Sequence, residues 1–168
     1  MPRIVACGSR NGAYADFCTA LKSLAPGDFV ALLIDSERPV PSDASLWVFL
    51  ADPAYDGWAQ PLKAGEENLH LMVQCMEAWL LADRAALERF FGQGFRLNVL
   101  PAQQDVESIP KGRLIESLKS ASRGSQTKGP YHKGKHSYDL LGMSDPTVLR
   151  QACVFARRFL DTLAVQLR

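Results

Sequence analysis

Short apolar runs and a helical pattern follow one another at the start of the chain. Residues 29–34 form an apolar run, and residues 3–7 form another that is apolar apart from Arg3. Between them, apolar residues recur at helical spacing from Tyr14 to Leu24. A strand, a helix and a strand in this order form a βαβ unit with parallel strands. The unbroken run at 29–34 is typical of a strand buried on both faces. We therefore expect a small, mostly parallel α/β sheet with helices on both faces.

The middle of the chain predicts a long loop followed by one more strand. Residues 36–61 contain four prolines and two tryptophans, which favours a loop with a short ordered piece at Leu46–Leu50. Residues 69–75, which are apolar apart from His70 and Gln74, predict a strand. The next residues, 77–82, have a sequence that predicts a helix.

The second half of the chain is predicted to be mainly helical. Residues that favour the start of a helix occur at four places, namely Asp83, Pro110, Ser137 and Asp145. The stretch 123–136 is polar, basic and glycine-containing, which predicts a loop before C-terminal helices at 137–167. We interpret residues 1–168 as one domain, in agreement with the usual size of domains.

Composition narrows the class of protein. The chain is 47% hydrophobic and 22% charged, which excludes a disordered chain, and its longest apolar run is far too short to span a membrane. The N-terminus lacks the pattern of a secretory signal. The four cysteines form no CxxC pair, and the three histidines show no zinc-site spacing. We expect a cytoplasmic protein with reduced thiols and no membrane contact.

Two carboxylates follow the most strand-like segment. Asp35 ends the apolar run, and Glu37 comes two residues later. Ligands of parallel α/β sheets bind beyond the carboxyl ends of the strands, and two carboxylates there suit Mg²⁺ or Mn²⁺. Asp35 and Glu37 are therefore candidate metal ligands and catalytic residues. The alternative, which the spacing alone favours, is that Asp35 caps the strand exit and Glu37 is solvated.

Glu77 is a third candidate catalytic carboxylate. It lies between an apolar strand and an apolar helical stretch. A carboxylate in such surroundings needs a partner or a metal ion, because leaving it unpaired is costly. The equally weighted alternative is a residue at a helix start that the helix dipole favours.

Positive charge is concentrated in one window. Between Lys111 and His136 there are seven basic residues and one acid, although the whole chain has a net charge of only +1. A basic, glycine-punctuated loop is a plausible contact for a phosphate backbone, and a solvated loop is the alternative. The candidate nucleic-acid contacts in this window are Lys128, His132, Lys133, Lys135 and His136. Arg10, in a glycine-containing turn before a helix, is a further candidate for phosphate binding, with a simple tight turn as the alternative.

Four segments together resemble a bacterial family, domain of unknown function 4276, which is regarded as Toprim-like. The segments are Pro2–Asn11, Leu33–Pro39, His70–Asp83 and Tyr131–Leu141. The most specific parts are Met-Glu-Ala-Trp at 76–79 and His-Lys-Gly-Lys-His-Ser at 132–137. The resemblance extends over nearly the whole chain.

The resemblance implies metal-dependent phosphoryl transfer on nucleic acid. In Toprim domains an early Glu-Gly motif supplies an acid/base carboxylate, and an Asp-x-Asp-like motif, here Asp35-Ser36-Glu37, holds Mg²⁺. It also implies an ATPase partner encoded nearby, in antiphage defence. The family typically begins with a strand ending in a Glu-Gly-rich turn, whereas this sequence reads Met1-Pro2-Arg3 and has its first acid at Asp16. Either the sequence starts at an internal methionine, or this member lacks that carboxylate.

Three functions follow as expectations. The first is a Toprim-like, Mg²⁺-dependent nuclease or nuclease remnant. The second is a non-catalytic subunit that docks an ATPase or pairs with a second copy of itself, and the missing first carboxylate favours it. The third, ranked last because no nucleotide-binding motif is present, is an enzyme that acts on small phosphorylated molecules through the same metal site.

Overall fold

The computed structural model describes residues 3–167. Within them, strands β1 (Leu32–Asp35) and β2 (Leu69–Met72) pair in parallel, with Leu32 opposite Leu69 and Asp35 opposite Met72. Both strands were predicted, although the predicted runs extend beyond the paired residues. The mixed α/β class with a parallel sheet is confirmed.

Helices account for most of the remaining structure. In chain order they are α1 (Arg10–Lys22), α2 (Leu46–Leu50), α3 (Glu77–Ala82), α4 (Arg84–Phe91), α5 (Lys111–Ser122), α6 (Lys133–Met143), α7 (Pro146–Ala152) and α8 (Val154–Gln166). Short 3-10 turns lie at Glu66–Asn68, Leu97–Val99 and Val106–Ser108. Among residues 3–167, none of the helices combines the length and the apolar character needed to cross a membrane.

The sheet lies between two apolar cores. Alternate side chains of a strand point to opposite faces, so Leu32 and Ile34 join the core formed with α1 and α2, whereas Leu33 packs against the other core. That second core contains the apolar faces of α3 to α8. The predicted helical cover on both faces is therefore confirmed.

The predicted strand at residues 3–7 is wrong. These residues form no strand, and Ile4 and Val5 are 92% and 57% exposed. A strand requires a neighbour that accepts its backbone hydrogen bonds, and β1 pairs with β2 instead. The βαβ unit therefore consists of β1, α2 and β2, with the predicted ordered piece Leu46–Leu50 as its helix.

Helix α6 begins four residues before the predicted start at Ser137. The His132 carbonyl accepts the N–H groups of Lys135 and His136 at 3.1 and 3.0 Å, and the His136 imidazole accepts the His132 N–H at 3.2 Å. This reciprocal bonding satisfies groups that a helix start otherwise leaves unpaired. The last four residues of the predicted loop 123–136 are consequently helical.

Asp83 fastens two helix starts together, although it is 3% exposed. One of its carboxylate oxygens accepts the Ala86 N–H at 2.9 Å and caps α4, as predicted. The other accepts the Asp145 N–H at 2.8 Å, just before α7. A single buried carboxylate therefore fixes α4 relative to α7.

We expect Asp83→Ala to lower the free energy of unfolding by about 2 kcal/mol. The substitution removes a helix cap, which contributes about 1 kcal/mol, and leaves a second backbone N–H without its partner at a similar cost. Urea denaturation measures the change. The exposed Asp43 is the matched control, and Asp43→Ala should stay within about 0.5 kcal/mol of wild type. Equal stability of the two variants would contradict this role of Asp83.

Candidate functional site

The carboxyl end of β1 presents Asp35 beside two partners. One carboxylate oxygen accepts the Met76 N–H at 2.8 Å, in the segment that follows β2. The other lies 3.0 Å from the Lys133 ammonium at the start of α6. The side chain is 15% exposed. Asp35 therefore lies at the strand edge where parallel α/β sheets bind ligands.

Glu77 is the first residue of α3 and is completely buried. The Tyr131 hydroxyl donates to one carboxylate oxygen at 2.9 Å, and the Lys133 ammonium lies 3.5 Å from the other. Burial acts to raise the pKa of Glu77, but the Tyr131 hydrogen bond and the positive charge of Lys133 outweigh it and lower the pKa. Glu77 is therefore ionised inside the protein.

Lys133 joins the two carboxylates, which we name the Asp35–Glu77 pair. Burial acts to lower the pKa of Lys133, whereas hydrogen bonding and charge attraction from Asp35, together with the charge of Glu77, raise it. A cation at a helix start is opposed by the helix dipole, so the carboxylates must supply the attraction that keeps it there. Its side chain is still 47% exposed, and solvent therefore reaches the ammonium side of the cluster.

The loops after the two strands are locked to each other. The buried Ser36 hydroxyl accepts the Gln74 N–H at 2.7 Å, and the Gln74 carbonyl accepts the Glu37 N–H at 3.0 Å. Glu37 and Gln74 both have left-handed backbones, with φ of 62° and 58°. Non-glycine residues adopt this conformation at a cost, which these hydrogen bonds offset.

The Gln74 side chain extends this lock to α5. Its amide nitrogen donates to the Ile109 carbonyl at 2.7 Å, and its amide oxygen accepts the Lys111 N–H at 3.0 Å. Because Gln74 is buried, these bonds lie away from water and are costly to lose. The start of α5 is thereby held beside the strand ends.

Glu37 has a different partner from Asp35. Its carboxylate pairs with the Lys111 ammonium, at the start of α5. Across residues 3–167, no group of three or more His, Cys, Asp or Glu side chains is arranged to hold a metal ion. The structure thus brings Glu77 to Asp35 through Lys133 and places Glu37 with Lys111.

Arg10 contacts the end of β1 through the backbone of Asp35. Its guanidinium donates to the Asp35 carbonyl, pairs with Asp56 at 2.7 Å and lies over the Trp58 ring at 5.1 Å. The guanidinium therefore already has partners within the protein. The structure therefore gives Arg10 a role in positioning β1.

The other predicted nucleic-acid contacts separate into exposed and buried residues. Lys128, His132 and Lys135 are exposed. His136 is 2% exposed, and its ring packs against Phe90 and Phe91. A phosphate backbone at the surface has no access to this imidazole, so His136 is available only as a structural residue.

Sequence reasoning missed Tyr131 and Gln74 as parts of the site. Tyr131 lies in the stretch 123–136, which we name the basic segment, and only lysines and histidines are predicted as contacts there. Its burial follows from the apolar cluster around Phe90 and Phe91, which no local pattern reveals. Gln74 could have been noticed as a polar residue in the apolar run 69–75, since such a residue needs buried hydrogen-bond partners.

The family described as Domain of unknown function (DUF4276) matches residues 6–164. The chain belongs to this family. No curated protein and no solved structure matches the chain. This assignment agrees with the resemblance found in the sequence. It does not assign an activity to the chain.

We expect Lys133→Met to destabilise the protein more at about pH 7 than at about pH 5. In wild type, the lowered pKa of Glu77 means that its ionised form stabilises the fold above the unfolded-state pKa. Without the ammonium, we expect burial to raise the pKa of Glu77, so the folded variant binds more protons than its unfolded chain and loses stability as pH rises.

Urea denaturation at the two pH values measures this difference. Lys135→Met is the matched control, because Lys135 is an exposed lysine two residues further along α6 and forms no ion pair with any of residues 3–167. A loss of stability that is the same at both pH values would show that Lys133 does not control the charge of Glu77.

Proposed function

We propose that this protein is a Toprim-like phosphodiesterase that binds Mg²⁺ or Mn²⁺ and cleaves nucleic acid. The observation that supports the proposal is the Asp35–Glu77 pair, whose two carboxylates share one cation at the carboxyl end of parallel strands. Parallel α/β sheets bind ligands at this edge. By its family resemblance, the protein would work with an ATPase in antiphage defence.

The residues present fit Mg²⁺ in one specific way. Mg²⁺ keeps several waters and is usually held by one or two carboxylates together with substrate phosphates. Two carboxylates without a third protein ligand match that requirement and do not match a closed zinc site. Asp35 and Glu77 would hold the ion once the Lys133 ammonium moves out of the space between them, and the ion would polarise a phosphodiester and activate water.

The surrounding residues have separate tasks in this proposal. Tyr131 keeps Glu77 oriented and ionised through its hydrogen bond. The exposed ammonium side of Lys133 is placed to attract a phosphate oxygen beside the carboxylates. Gln74 and Ser36 hold the strand ends in register. Lys128 and Lys135, both exposed, would contact the phosphate backbone further away.

A non-catalytic partner-binding subunit is the second candidate, and one observation favours it. Lys133 already supplies a counter-charge to both Asp35 and Glu77, so the cluster is complete as a structural ion pair. In that case the carboxylates stabilise the fold and bind no metal. Direct measurement of metal binding separates the two functions.

We expect wild type to cleave plasmid or single-stranded DNA in Mg²⁺ or Mn²⁺, and Asp35→Asn or Glu77→Gln to lose about 100-fold or more of the rate. Each substitution removes a charge that holds the ion and keeps the size of the side chain. Gel assays with a chelator control measure cleavage, and thermal melting with added Mn²⁺ measures binding.

Glu37→Gln is the matched control for the ligand set. Because Glu37 pairs with Lys111, its loss should leave the rate within about threefold of wild type. If Glu37→Gln lowered the cleavage rate as much as Asp35→Asn, the metal ligands would be Asp35 and Glu37, as the sequence predicts, and not Asp35 and Glu77. If wild type showed neither cleavage nor stabilisation by Mn²⁺, the proposal of a metal-dependent nuclease would be wrong, and the partner-binding subunit would be favoured.

A further inference from the structure

An open groove lies on the far side of α6 from Lys133. Its volume is about 630 Å³, and its walls come from α4, the segment before α6 and α6 itself. The side chains that matter here are Arg89, Phe90, Lys128, Tyr138, Asp139 and Met143. We name this feature the α4–α6 groove.

The groove contains two cations that no carboxylate neutralises, although the Arg89 guanidinium donates to the Met143 carbonyl at 3.4 Å and Lys128 lies over the Phe90 ring. Neither Arg89 nor Lys128 forms an ion pair with any carboxylate of residues 3–167. Asp139 is the acid among the lining residues, so the two cations leave a net positive charge. Lys135 lies one helical turn before Asp139 on the exposed face of α6 and adds to this charge. The groove therefore favours an anionic ligand.

An exposed aromatic ring accompanies these cations. The Tyr138 side chain is 73% exposed, and Met143 is 39% exposed. Burying a tyrosine ring is favourable, and its flat face is suited to stacking on another ring system. Free anions such as phosphate gain nothing from this ring, whereas nucleotides offer both a phosphate and a flat base.

The groove is held in shape without a ligand. The Ser125 and Thr127 hydroxyls donate to the Phe91 carbonyl at 2.7 and 3.2 Å, which fastens the basic segment to the end of α4. Gly94 and Gly124 pack backbone to backbone there, and a Cβ on Gly94 would meet the Gly124 carbonyl. The Lys128 ammonium lies over the Phe90 ring at 4.6 Å. Binding would therefore need little rearrangement of the backbone.

We propose that the α4–α6 groove binds single-stranded nucleic acid, with one base stacked on Tyr138 and the neighbouring phosphates at Arg89 and Lys128. Stacking on an aromatic ring next to a cationic surface is the general way in which proteins hold unpaired strands. A duplex hides its base faces, so the exposed ring favours a single strand. This inference rests on the proposed function for its class of substrate and specifies the strandedness of that substrate.

The groove and the Asp35–Glu77 pair contact different residues of α6, namely Tyr138 and Lys133. Tyr138 follows Lys133 by five residues, a rise of about 7.5 Å along the axis. Lys133 points into the protein toward the carboxylates, whereas Tyr138 points to solvent. Binding in the groove therefore needs neither the carboxylates nor a metal ion, and it can be measured in a chelator.

The test is fluorescence anisotropy of a short labelled oligothymidine with the full chain in EDTA. We expect Tyr138→Ala to weaken binding about 5- to 150-fold, since stacking of one base contributes about 1–3 kcal/mol. Tyr138→Phe should bind within about twofold of wild type, because the ring remains. Arg89→Ala should reduce the slope of log affinity against log salt by about 0.7, the effect of one phosphate contact.

Controls separate this inference from the proposed nuclease activity. Lys63→Ala removes an exposed lysine outside the groove and should bind like wild type. Asp35→Asn should lose cleavage and keep oligothymidine binding, so a failure of either proposal is seen independently. If Tyr138→Ala folded normally and bound oligothymidine as tightly as wild type, the proposed binding in the α4–α6 groove would be wrong. Equal affinity for a duplex, or equal competition by polyglutamate, would also overturn it and assign the surface to general anion attraction.

Discussion

Glu77 carries a charge with no contact to water, and this requirement shapes the carboxyl end of the sheet. Burial of an ionised carboxylate costs several kcal/mol unless hydrogen bonds and an opposite charge offset it. Tyr131 and Lys133 supply both, from positions 54 and 56 residues further along the chain. The start of α6 must therefore lie over the strand ends, and the segment that leads to it must pack on α4.

The same constraint explains why the adjoining loops are so heavily hydrogen-bonded. Asp35 and Glu77 approach one ammonium only if the ends of β1 and β2 stay in register. Ser36 and Gln74 fix that register through backbone and side-chain bonds, even though Gln74 and Glu37 must adopt left-handed backbones. Strain of this kind persists where the surroundings hold it, and it is concentrated at functional sites. Its location here coincides with the candidate site.

Local patterns were enough to predict much of the fold. The apolar runs predicted β1 and β2, and Asp83 marked the start of α4. The tryptophan-containing segment predicted an ordered piece at Leu46–Leu50, without specifying that it is the helix α2. Each of these signals lies within a few residues of the element that it predicts. Residues 3–7 have the composition of a strand, but composition does not provide the neighbour that a strand needs, and β1 pairs elsewhere.

The candidate site could be predicted only in part, because its contacts are long-range. The sequence indicated that Glu77 needs a partner, without identifying Tyr131 or Lys133. It placed Asp35 and Glu37 together on the assumption of an extended backbone, in which residues two apart share a face. Glu37 lies beyond the end of β1 with a positive φ, so that relation no longer holds, and its side chain reaches Lys111.

The basic segment illustrates how one stretch of sequence serves two surfaces. Its charge alone suggests that the whole segment contacts phosphates. The geometry of α6 instead directs some of its side chains into the protein and others to solvent. Lys133 and His136 turn inward, toward the carboxylates and the aromatic cluster, whereas Lys135 and Tyr138 turn outward. Lys133 forms ion pairs with Asp35 and Glu77, and the His136 ring is packed among aromatic side chains. Away from the carboxylates, recognition of an external anion must therefore depend on the outward residues, whereas Lys133 holds Glu77 ionised and presents only its exposed side to a ligand.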